Sequence, residues 1–339
     1  MGAAGLLGVT IPEEYGGVGA GYVAYGLVAR EVERIDSGYR SMMSVQSSLV
    51  MYPIHAYGSE EQRRKYLPKL ASGEWVGCFG LTEPDAGSDV AAMSTRFSKK
   101  GDTYVLNGRK RWITNADVAN WYTVFAREQG TSGHRGIAIF VVDAGTPGLR
   151  WESMIHKLGQ RASHTGDVVF EDVEVPAANL VAGPEHGFKL AMATFDRSRP
   201  WIAAGASGVI RRARDEALRY ATERKTFGEP IVNHQMVAAM LADMEISYLA
   251  TRLLCLYAAS EVDRGNLRGS HSACAKAFGG DAAMKVTTDA VQIFGGYGYT
   301  QDFVVEKLMR DAKLLQIYEG TSQIQRLVIS RDMVRTLGA

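Results

Sequence analysis

The amino-acid sequence predicts a mainly helical protein with a β domain in the middle of the chain. Apolar residues recur at helical spacing in the first 75 residues and again from about residue 183 onward, whereas short β-rich runs separated by turn residues lie between them. Because helices and strands follow one another in blocks, the order is not the alternation of a doubly wound α/β fold. We expect an N-terminal helical domain over 1–75, a middle β domain over 76–182 and a C-terminal helical bundle over 183–339.

Length, charge and cysteine content exclude several classes of protein. The chain has 339 residues, 38 Lys plus Arg, 37 Asp plus Glu and a net charge of +1, which gives no bulk electrostatic reason to bind nucleic acid. No uninterrupted apolar run approaches the roughly 20 residues of a membrane span. The three cysteines form no CxxC pair and the seven histidines no zinc-binding spacing. We expect no metal, and a location in the bacterial cytoplasm or in the mitochondrial matrix with the presequence absent.

The N-terminal domain shows two helix signals and one glycine motif. Apolar residues from Tyr22 to Ile35 recur at helical spacing, and Ser59 with Gln62 forms a capping-box pattern that opens another helix. Residues 19–24, GAGYVA, fit the glycine pattern of a dinucleotide-binding turn, which would predict NAD binding. However, Pro12 argues against a central strand upstream, and helical sequence follows. We interpret the motif as a flexible entry to a helix.

The middle domain contains short runs typical of strands. Residues 104–108 indicate a strand that runs into a turn at Asn107-Gly108, and residues 137–142 and 168–170 are further β-rich runs. Short strands at this spacing predict a small antiparallel barrel or sandwich.

The C-terminal domain contains a series of apolar helical patterns. The amphipathic or buried segments lie at 209–221, 237–259, 273–293, 308–317 and 324–333. Gly320 interrupts the last two, so we expect a break in the helix at this point.

Six short motifs together resemble the acyl-CoA dehydrogenase family of flavoenzymes. They are LTEPDAGSD at 81–89, KRWITN at 110–115, DRSR at 196–199, ERKTFG at 223–228, QIFGG at 292–296 and QIYEGTSQ at 316–323. The resemblance covers nearly the whole chain and implies a helical domain, a β-barrel and a four-helix bundle. Family members usually carry helices ahead of the point where this sequence starts, so we expect a truncated N-terminal domain.

The resemblance implies FAD-dependent α,β-dehydrogenation of an acyl-CoA thioester. By resemblance, Glu319 is the base that removes the α proton while a hydride passes to flavin N5, and the Glu319 N–H binds the thioester carbonyl where Gly320 permits close approach. Other family members place the base on a different helix. Without the motif, Glu319 would be interpreted as a helix-terminal side chain held by solvent or by Arg310.

The family motifs also indicate which residues bind the cofactor and the CoA arm. The cofactor-binding residues implied are Thr82, Ser88, Trp112, Ile113, Thr114, Arg224, Thr226, Gln235, Gln292, Gly295, Gly296, Thr321 and Gln323. Ser88, Asp196 and Arg199 would bind the CoA arm. The alternatives are a buried core position for Trp112, a surface charge for Arg224 and an ion pair between Asp196 and Arg199. In the family, FAD is shared by two chains, which implies a dimer or a dimer of dimers.

The acyl group is indicated by residues 33–51, which are similar to the glutaryl-CoA dehydrogenase branch. There, the residues that match Arg40, Ser41 and Glu33 line the pocket for the distal carboxylate. The alternative is that Arg40 pairs on the surface with Glu33 or Asp36. Residues 317–326 instead resemble enzymes of short- and medium-chain acyl-CoA.

Glutaryl-CoA or another dicarboxylyl-CoA is therefore the first expectation, and a straight-chain, branched or cyclic acyl-CoA is the alternative. Electrons would pass to an electron-transfer flavoprotein or, in an oxidase, to oxygen. An inactive scaffold of the same family is the non-enzyme alternative. The pathways implied are fatty acid metabolism and amino acid degradation.

Overall fold

The computed structural model describes residues 1–152 and 154–338. Helices occupy both ends of the chain, as predicted. Their bounds are Tyr22–Ile35 (α1), Ser37–Ser44 (α2), Tyr52–Tyr57 (α3), Glu60–Ser72 (α4), Gly187–Glu223 (α5), Gln235–Asp263 (α6), Gly269–Phe294 (α7), Val305–Ala312 (α8) and Ser322–Leu337 (α9). A π-helical segment, Val45–Met51, joins α2 to α3.

The strands lie between the two helical regions. Their bounds are Gly77–Gly80 (β1), Arg96–Lys100 (β2), Thr103–Thr114 (β3), Trp121–Glu128 (β4), Ile137–Asp143 (β5), Leu149–Glu152 (β6), Thr165–Pro176 (β7) and Leu180–Ala182 (β8). A short hairpin, Lys225–Thr226 (β9) and Glu229–Pro230 (β10), follows α5. The prediction of a mainly helical protein with a central β domain is therefore confirmed.

The central sheet differs from the prediction in its strand directions. Its order is β6-β7-β3-β2-β4-β5-β8, and β1 also pairs with β4. We expected an antiparallel sheet, but β4 pairs in parallel with both β1 and β2. The sequence pattern indicates which residues form strands. It does not indicate which strands pair with each other when they lie far apart along the chain.

The prediction of a turn at Asn107-Gly108 is also wrong, because β3 continues through both residues to Thr114. Gly108 has φ of 150°, and the pairing register of β3 with β7 shifts beside it. A Cβ at this position would lie 2.6 Å from the Cα of Thr95, so the glycine allows a close approach of two backbone segments.

Local sequence explains where α4 begins and ends. The Ser59 side chain accepts a bond from the Gln62 N–H, and the Gln62 side chain accepts one from the Ser59 N–H, which confirms the predicted capping box. Gly73 ends the helix in the left-handed conformation.

Helix α1 obtains its N-terminal cap from a distant part of the chain. The N–H groups of Tyr22 and Val23 donate to the Asp263 carboxylate at 2.6 and 3.1 Å. Asp263 is the last residue of α6, so one acidic side chain stabilises the first turn of a helix about 240 residues earlier.

The chain divides into two compact units that do not follow the sequence in order. The first contains Met1–Gly21, Ser41–His156 and Ala162–Ser198, and the second contains Tyr22–Arg40, Lys157–Arg161 and Arg199–Ala339. The boundaries of the three domains expected from the sequence stay a prediction.

Each unit has an apolar core of its own. In the first unit, inward residues of the sheet such as Leu106, Val124 and Phe140 are fully buried. In the second unit, α5, α6, α7 and α8 pack around Val209, Met244 and other buried side chains. Across the described residues, none of the helices combines the length and the low polarity needed to cross a membrane.

Candidate active site

The candidate base, Glu319, lies in a strained turn immediately before α9. Its φ is +54° and that of Gly320 is +88°, so two successive residues occupy the left-handed region. For a non-glycine residue this conformation costs of the order of 1–3 kcal/mol. The Thr321 Oγ1 accepts from the Ile324 N–H at 3.2 Å and caps α9. The helix break predicted at Gly320 is thus present, and Glu319 is half-buried at its apex.

Three side chains of the second unit hold the carbonyl groups of this turn. Gln325 Nε2 donates to the oxygens of Glu319 and Gly320 at 3.1 and 2.9 Å. Arg199 Nε donates to the Glu319 oxygen at 3.2 Å, and Lys276 Nζ donates to the Gly320 oxygen at 2.6 Å. These bonds offset the backbone strain and fix the position of the peptide that carries the candidate base.

Arg310, the alternative partner considered for Glu319, is engaged elsewhere. Its guanidinium forms a two-pronged ion pair with Glu306 at 2.6 and 2.8 Å and donates to the Leu158 carbonyl at 3.0 Å. These contacts hold the Arg310 guanidinium against Glu306 on α8 and against the segment 157–161.

Arg40 and Glu33 form a buried ion pair, not a surface one. Both side chains are 1% exposed, and Arg40 Nε donates to Glu33. Arg40 Nη2 also donates to the hydroxyl of Tyr318, the residue before Glu319. Burial lowers the pKa of Arg40, but the Glu33 carboxylate outweighs this and raises it. The alternative partner, Asp36, instead pairs with Lys307 at 2.9 Å.

The ion pair is packed against a glycine of α5. A Cβ at Gly205 would lie 3.0 Å from Arg40 Nε and 3.0 Å from Glu33 Oε2, so only glycine leaves the pair in place. Glu33 Oε1 is buried and, within residues 1–152 and 154–338, has no hydrogen-bond partner. A buried carboxylate oxygen of this kind is stabilised when water or a ligand supplies a donor.

In the first unit, a β-bulge turns Trp112 outward. The register of β3 with β7 shifts between Lys110 and Ile113, and Trp112 has φ of +62°. Trp112 is 53% exposed, so the alternative of a buried core tryptophan does not hold. Thr114 is half-buried, whereas the Ile113 side chain lies in the sheet core, which leaves only its backbone for a ligand.

The remaining predicted residues of the first unit occupy varied environments. The Thr82 carbonyl accepts from the Arg111 N–H at 2.8 Å, which ties the 81–89 segment to β3. Ser88 is exposed, Asp196 is half-buried and Ser41 is 4% exposed.

A buried ion pair that sequence analysis missed holds the 81–89 segment. Lys110 Nζ lies 2.7 Å from Glu83 Oε1, and the N–H groups of Ser94 and Thr95 also donate to the Glu83 carboxylate. Burial raises the pKa of Glu83, but the charge of Lys110 and these hydrogen bonds lower it to about 2. The pair fixes Thr82 and the strand that leads to Trp112 relative to each other.

Several predicted cofactor residues lie together at one end of the second unit. Arg224 directly follows α5, and its guanidinium lies 5.6 Å from the ring of Tyr297. Thr226 Oγ1 lies 2.9 Å from the His234 ring. Exposed residues of this group are Arg224, Gln235, Gln292, Gly295 and Gly296. A Cβ at either of the two glycines would meet open space, so this end presents an accessible surface. Gln323 is exposed on the first turn of α9, and Thr321 caps it.

Sequence reasoning also missed Lys276, Gln325 and Tyr318. A single lysine within the apolar run at 273–277 was a usable signal, because a buried charge needs a partner. Gln325 gave no such signal, since glutamine is common on helix surfaces.

Three family models match the chain. They are the N-terminal domain of acyl-CoA dehydrogenase over residues 1–74, the middle domain over 78–173 and the C-terminal domain over 185–334. The protein is therefore a flavoprotein oxidoreductase that acts on acyl-CoA, and the chain belongs to the acyl-CoA dehydrogenase family. The resemblance inferred from the motifs is confirmed.

Individual relatives agree with this assignment. An acyl-CoA dehydrogenase of Bacillus subtilis is 45% identical over 334 residues, which span 98% of this chain and 88% of the relative. Among solved structures, a chain from the electron transferring flavoprotein of Acidaminococcus fermentans has 45% identity and a TM-score of 0.97, covering 99% and 88% of the two chains. Butyryl-CoA dehydrogenase of Megasphaera elsdenii has 40% identity and a TM-score of 0.96, covering 98% and 88%. A glutaryl-CoA dehydrogenase of Mycobacterium smegmatis in complex with FADH2 has 35% identity and a TM-score of 0.93, covering 98% and 84%.

Proposed function

We propose that the protein oxidises a dicarboxylyl-CoA, with glutaryl-CoA as the first candidate, to the corresponding 2-enoyl-CoA. The observation that carries this proposal is the buried Arg40, whose guanidinium bonds the hydroxyl of Tyr318, next to Glu319 in the chain. This contact brings a fixed cation within side-chain reach of the candidate base. A distal carboxylate gains charge-assisted hydrogen bonds from such a cation, whereas an apolar tail gains none.

In this proposal, Glu319 removes the α proton of the thioester. Its carboxylate projects from the apex of a turn whose carbonyl groups are bound by Arg199, Lys276 and Gln325. The Glu319 N–H donates to the thioester oxygen as negative charge develops there. Loss of one donor of this kind raises the activation free energy of the reaction by about 3–4 kcal/mol. Ser88 and Asp196 would bind the CoA arm.

The residues present fit FAD as the cofactor. The outward Trp112 with Thr114 would contact the isoalloxazine ring, and Thr82 and Ser88 would bind its polar edge and the phosphates. The open glycines 295 and 296, with Arg224, would accept the adenosine part from a neighbouring subunit. When bound, FAD supplies the acceptor for the β hydride. The Mycobacterium smegmatis relative, solved with FADH2, supports this assignment.

The experiment compares glutaryl-CoA with butyryl-CoA as substrates of the flavin-loaded protein. Arg40→Met alone would leave the Glu33 charge buried and cost about 3–5 kcal/mol of stability. The double variant Glu33→Gln/Arg40→Met removes both charges and avoids this loss. Two lost charge-assisted bonds predict a decrease in kcat/KM for glutaryl-CoA of at least about a hundredfold, with the butyryl-CoA value changed only a few-fold. Unchanged glutaryl-CoA turnover in the double variant would refute the dicarboxylyl proposal.

A straight-chain acyl-CoA is the second candidate because Glu33 neutralises Arg40 within the protein. A neutral ion pair attracts a distal carboxylate less than a lone cation does. The butyryl-CoA dehydrogenase of Megasphaera elsdenii supports this candidate as well. A wild-type kcat/KM that is higher for butyryl-CoA than for glutaryl-CoA would favour it, and branched and cyclic acyl-CoA thioesters extend the same comparison.

For the electron acceptor we propose an electron-transfer flavoprotein. The relative of known structure from Acidaminococcus fermentans supports this partner. Reduced protein that is reoxidised rapidly by the flavoprotein without oxygen, and slowly by air alone, is the expected result. Fast formation of hydrogen peroxide in air would indicate an oxidase instead.

We also propose a homo-oligomer, at least a dimer. Phe227 is 98% exposed at the β9–β10 turn and Met236 is 82% exposed at the start of α6, beside the predicted cofactor residues of that end. Exposed apolar side chains of this size are typical of subunit interfaces. Light scattering of the flavin-loaded protein that gives the mass of one chain would contradict the proposal.

A further inference from the structure

Lys276 is a buried cation beneath the candidate base, and neither the motifs nor the family match assigns it a role. It lies on α7 with 0% of its surface exposed. An ionised lysine in such surroundings is costly unless it is paired. Its Nζ donates at 2.6 Å to the carbonyl of Gly320, the residue that follows the base.

The turn that Lys276 contacts needs external support. Glu319 and Gly320 both have positive φ, and the strain falls on Glu319, which carries a side chain. The Gly320 position is also crowded, since a Cβ there would lie 2.6 Å from the Gln325 amide nitrogen. Of the two carbonyls after the base, the first is bound by Arg199 and Gln325, and the second by Lys276 and Gln325.

Charged groups on α5, on α7 and in the turn before α9 act electrostatically on the ammonium group. Burial lowers the pKa of Lys276, and the Glu319 carboxylate raises it. Arg199 on α5 lowers this pKa and Asp281 on α7 raises it, so that together these effects bring it to about 8. The lysine is therefore sensitive to the charge state of the turn it holds.

We propose that Lys276 is a positioning residue for the candidate base, because its ammonium group anchors the Gly320 carbonyl and so holds Glu319 in its left-handed conformation. The inference rests on the proposed function of Glu319. Without the anchor, the strained turn relaxes, and both the carboxylate and the Glu319 N–H leave the positions needed for proton removal. A displacement of about 1 Å in such a group costs of the order of a hundredfold in rate.

The test uses the flavin-loaded protein with Lys276→Met, which keeps the length of the side chain and removes the donor. Lys276→Gln restores an N–H donor without the charge. Lys285→Met is the matched control, since Lys285 lies on the same helix with its side chain 55% exposed. Exchange of the substrate α hydrogen for deuterium from D2O, measured without an external electron acceptor, reports proton removal separately from turnover.

We expect α-hydrogen exchange and kcat to fall about tenfold to a hundredfold in Lys276→Met, with KM changed less than about threefold. Lys276→Gln should recover part of the loss, and Lys285→Met should match the wild type. In the wild type, kcat should decrease above about pH 8 as Lys276 loses its proton. The pH profile of Lys276→Met should lack this decrease. Unchanged exchange in Lys276→Met would overturn the inference.

A crystal structure of Lys276→Met separates this inference from the proposed function. We expect Glu319 to leave the left-handed region and the Gly320 carbonyl to rotate. If the wild type does not exchange the α hydrogen at all, the proposed role of Glu319 fails, while the displaced turn still demonstrates the anchor. A turn that keeps its wild-type conformation in the variant would refute the positioning role independently of activity.

Discussion

Replacement of Glu83 by glutamine should remove a defined, pH-dependent part of the stability of the first unit. The Glu83 side chain is 2% exposed and pairs with the fully buried Lys110 at 2.7 Å. Its pKa falls from 4.5 to about 2, and a shift of this size corresponds to about 3 kcal/mol of stability. Glu83→Gln keeps the shape of the side chain and leaves Lys110 without its counter-charge.

The sign of the pH dependence follows from the lowered pKa. A carboxyl group that is more acidic in the folded state contributes its full stabilisation above its unfolded pKa of 4.5. The contribution disappears as the pH falls from 4.5 to about 2, because the proton then binds the folded and the unfolded chain alike. The difference in stability between wild type and Glu83→Gln should therefore be about 3 kcal/mol at pH 7 and should shrink through this window.

Urea denaturation at a series of pH values measures this difference. Glu174→Gln is the matched control, because Glu174 pairs with Lys100 on the surface and its removal should leave the midpoint unchanged. The reasoning is refuted if Glu83→Gln and wild type differ by the same amount at pH 3 and at pH 7, since the stabilisation would then not come from the charge of Glu83.

Two further predictions concern the second unit. Glu319→Gln should retain the flavin and bind acyl-CoA, while α-hydrogen exchange falls by at least about 10²–10⁴-fold, and substantial exchange in this variant would contradict the role of the base. Gly205→Ala should displace the ion pair, since the added Cβ lies 3.0 Å from both Arg40 and Glu33. We expect it to raise KM for glutaryl-CoA more than for butyryl-CoA, and equal effects on both substrates would indicate that the pair does not contact the acyl tail.

Local signals in the sequence predicted the elements of the fold well. The apolar period over Tyr22–Ile35 and the capping box at Ser59 each depend on residues within one or two helical turns, and both are present in the structure. The parallel partners of β4 were not predicted, because strand pairing between β1 and β4 is decided by packing over about 40 residues of chain.

The candidate site also combines local features, which the sequence indicates, with contacts between distant residues, which it does not. The motif around Glu319 and the break at Gly320 are local, so the sequence indicates them directly. Lys276 lies 44 residues from the carbonyl it binds, and Lys110 lies 27 residues from Glu83. Contacts of this kind have no fixed spacing along the chain, and only the fold shows them. The contact of Arg40 with Tyr318 was likewise not evident, because 278 residues separate them along the chain.

The capping of α1 by Asp263 has a consequence for biosynthesis. Residues 22–40 leave the ribosome early, yet the rest of their unit, apart from residues 157–161, begins at Arg199. The emerging helix must therefore wait for its Asp263 cap while more than two hundred further residues are translated. Chaperone binding to nascent chains should concentrate on this segment, and ribosome-bound chains that end before Asp263 should be cleaved there by added protease.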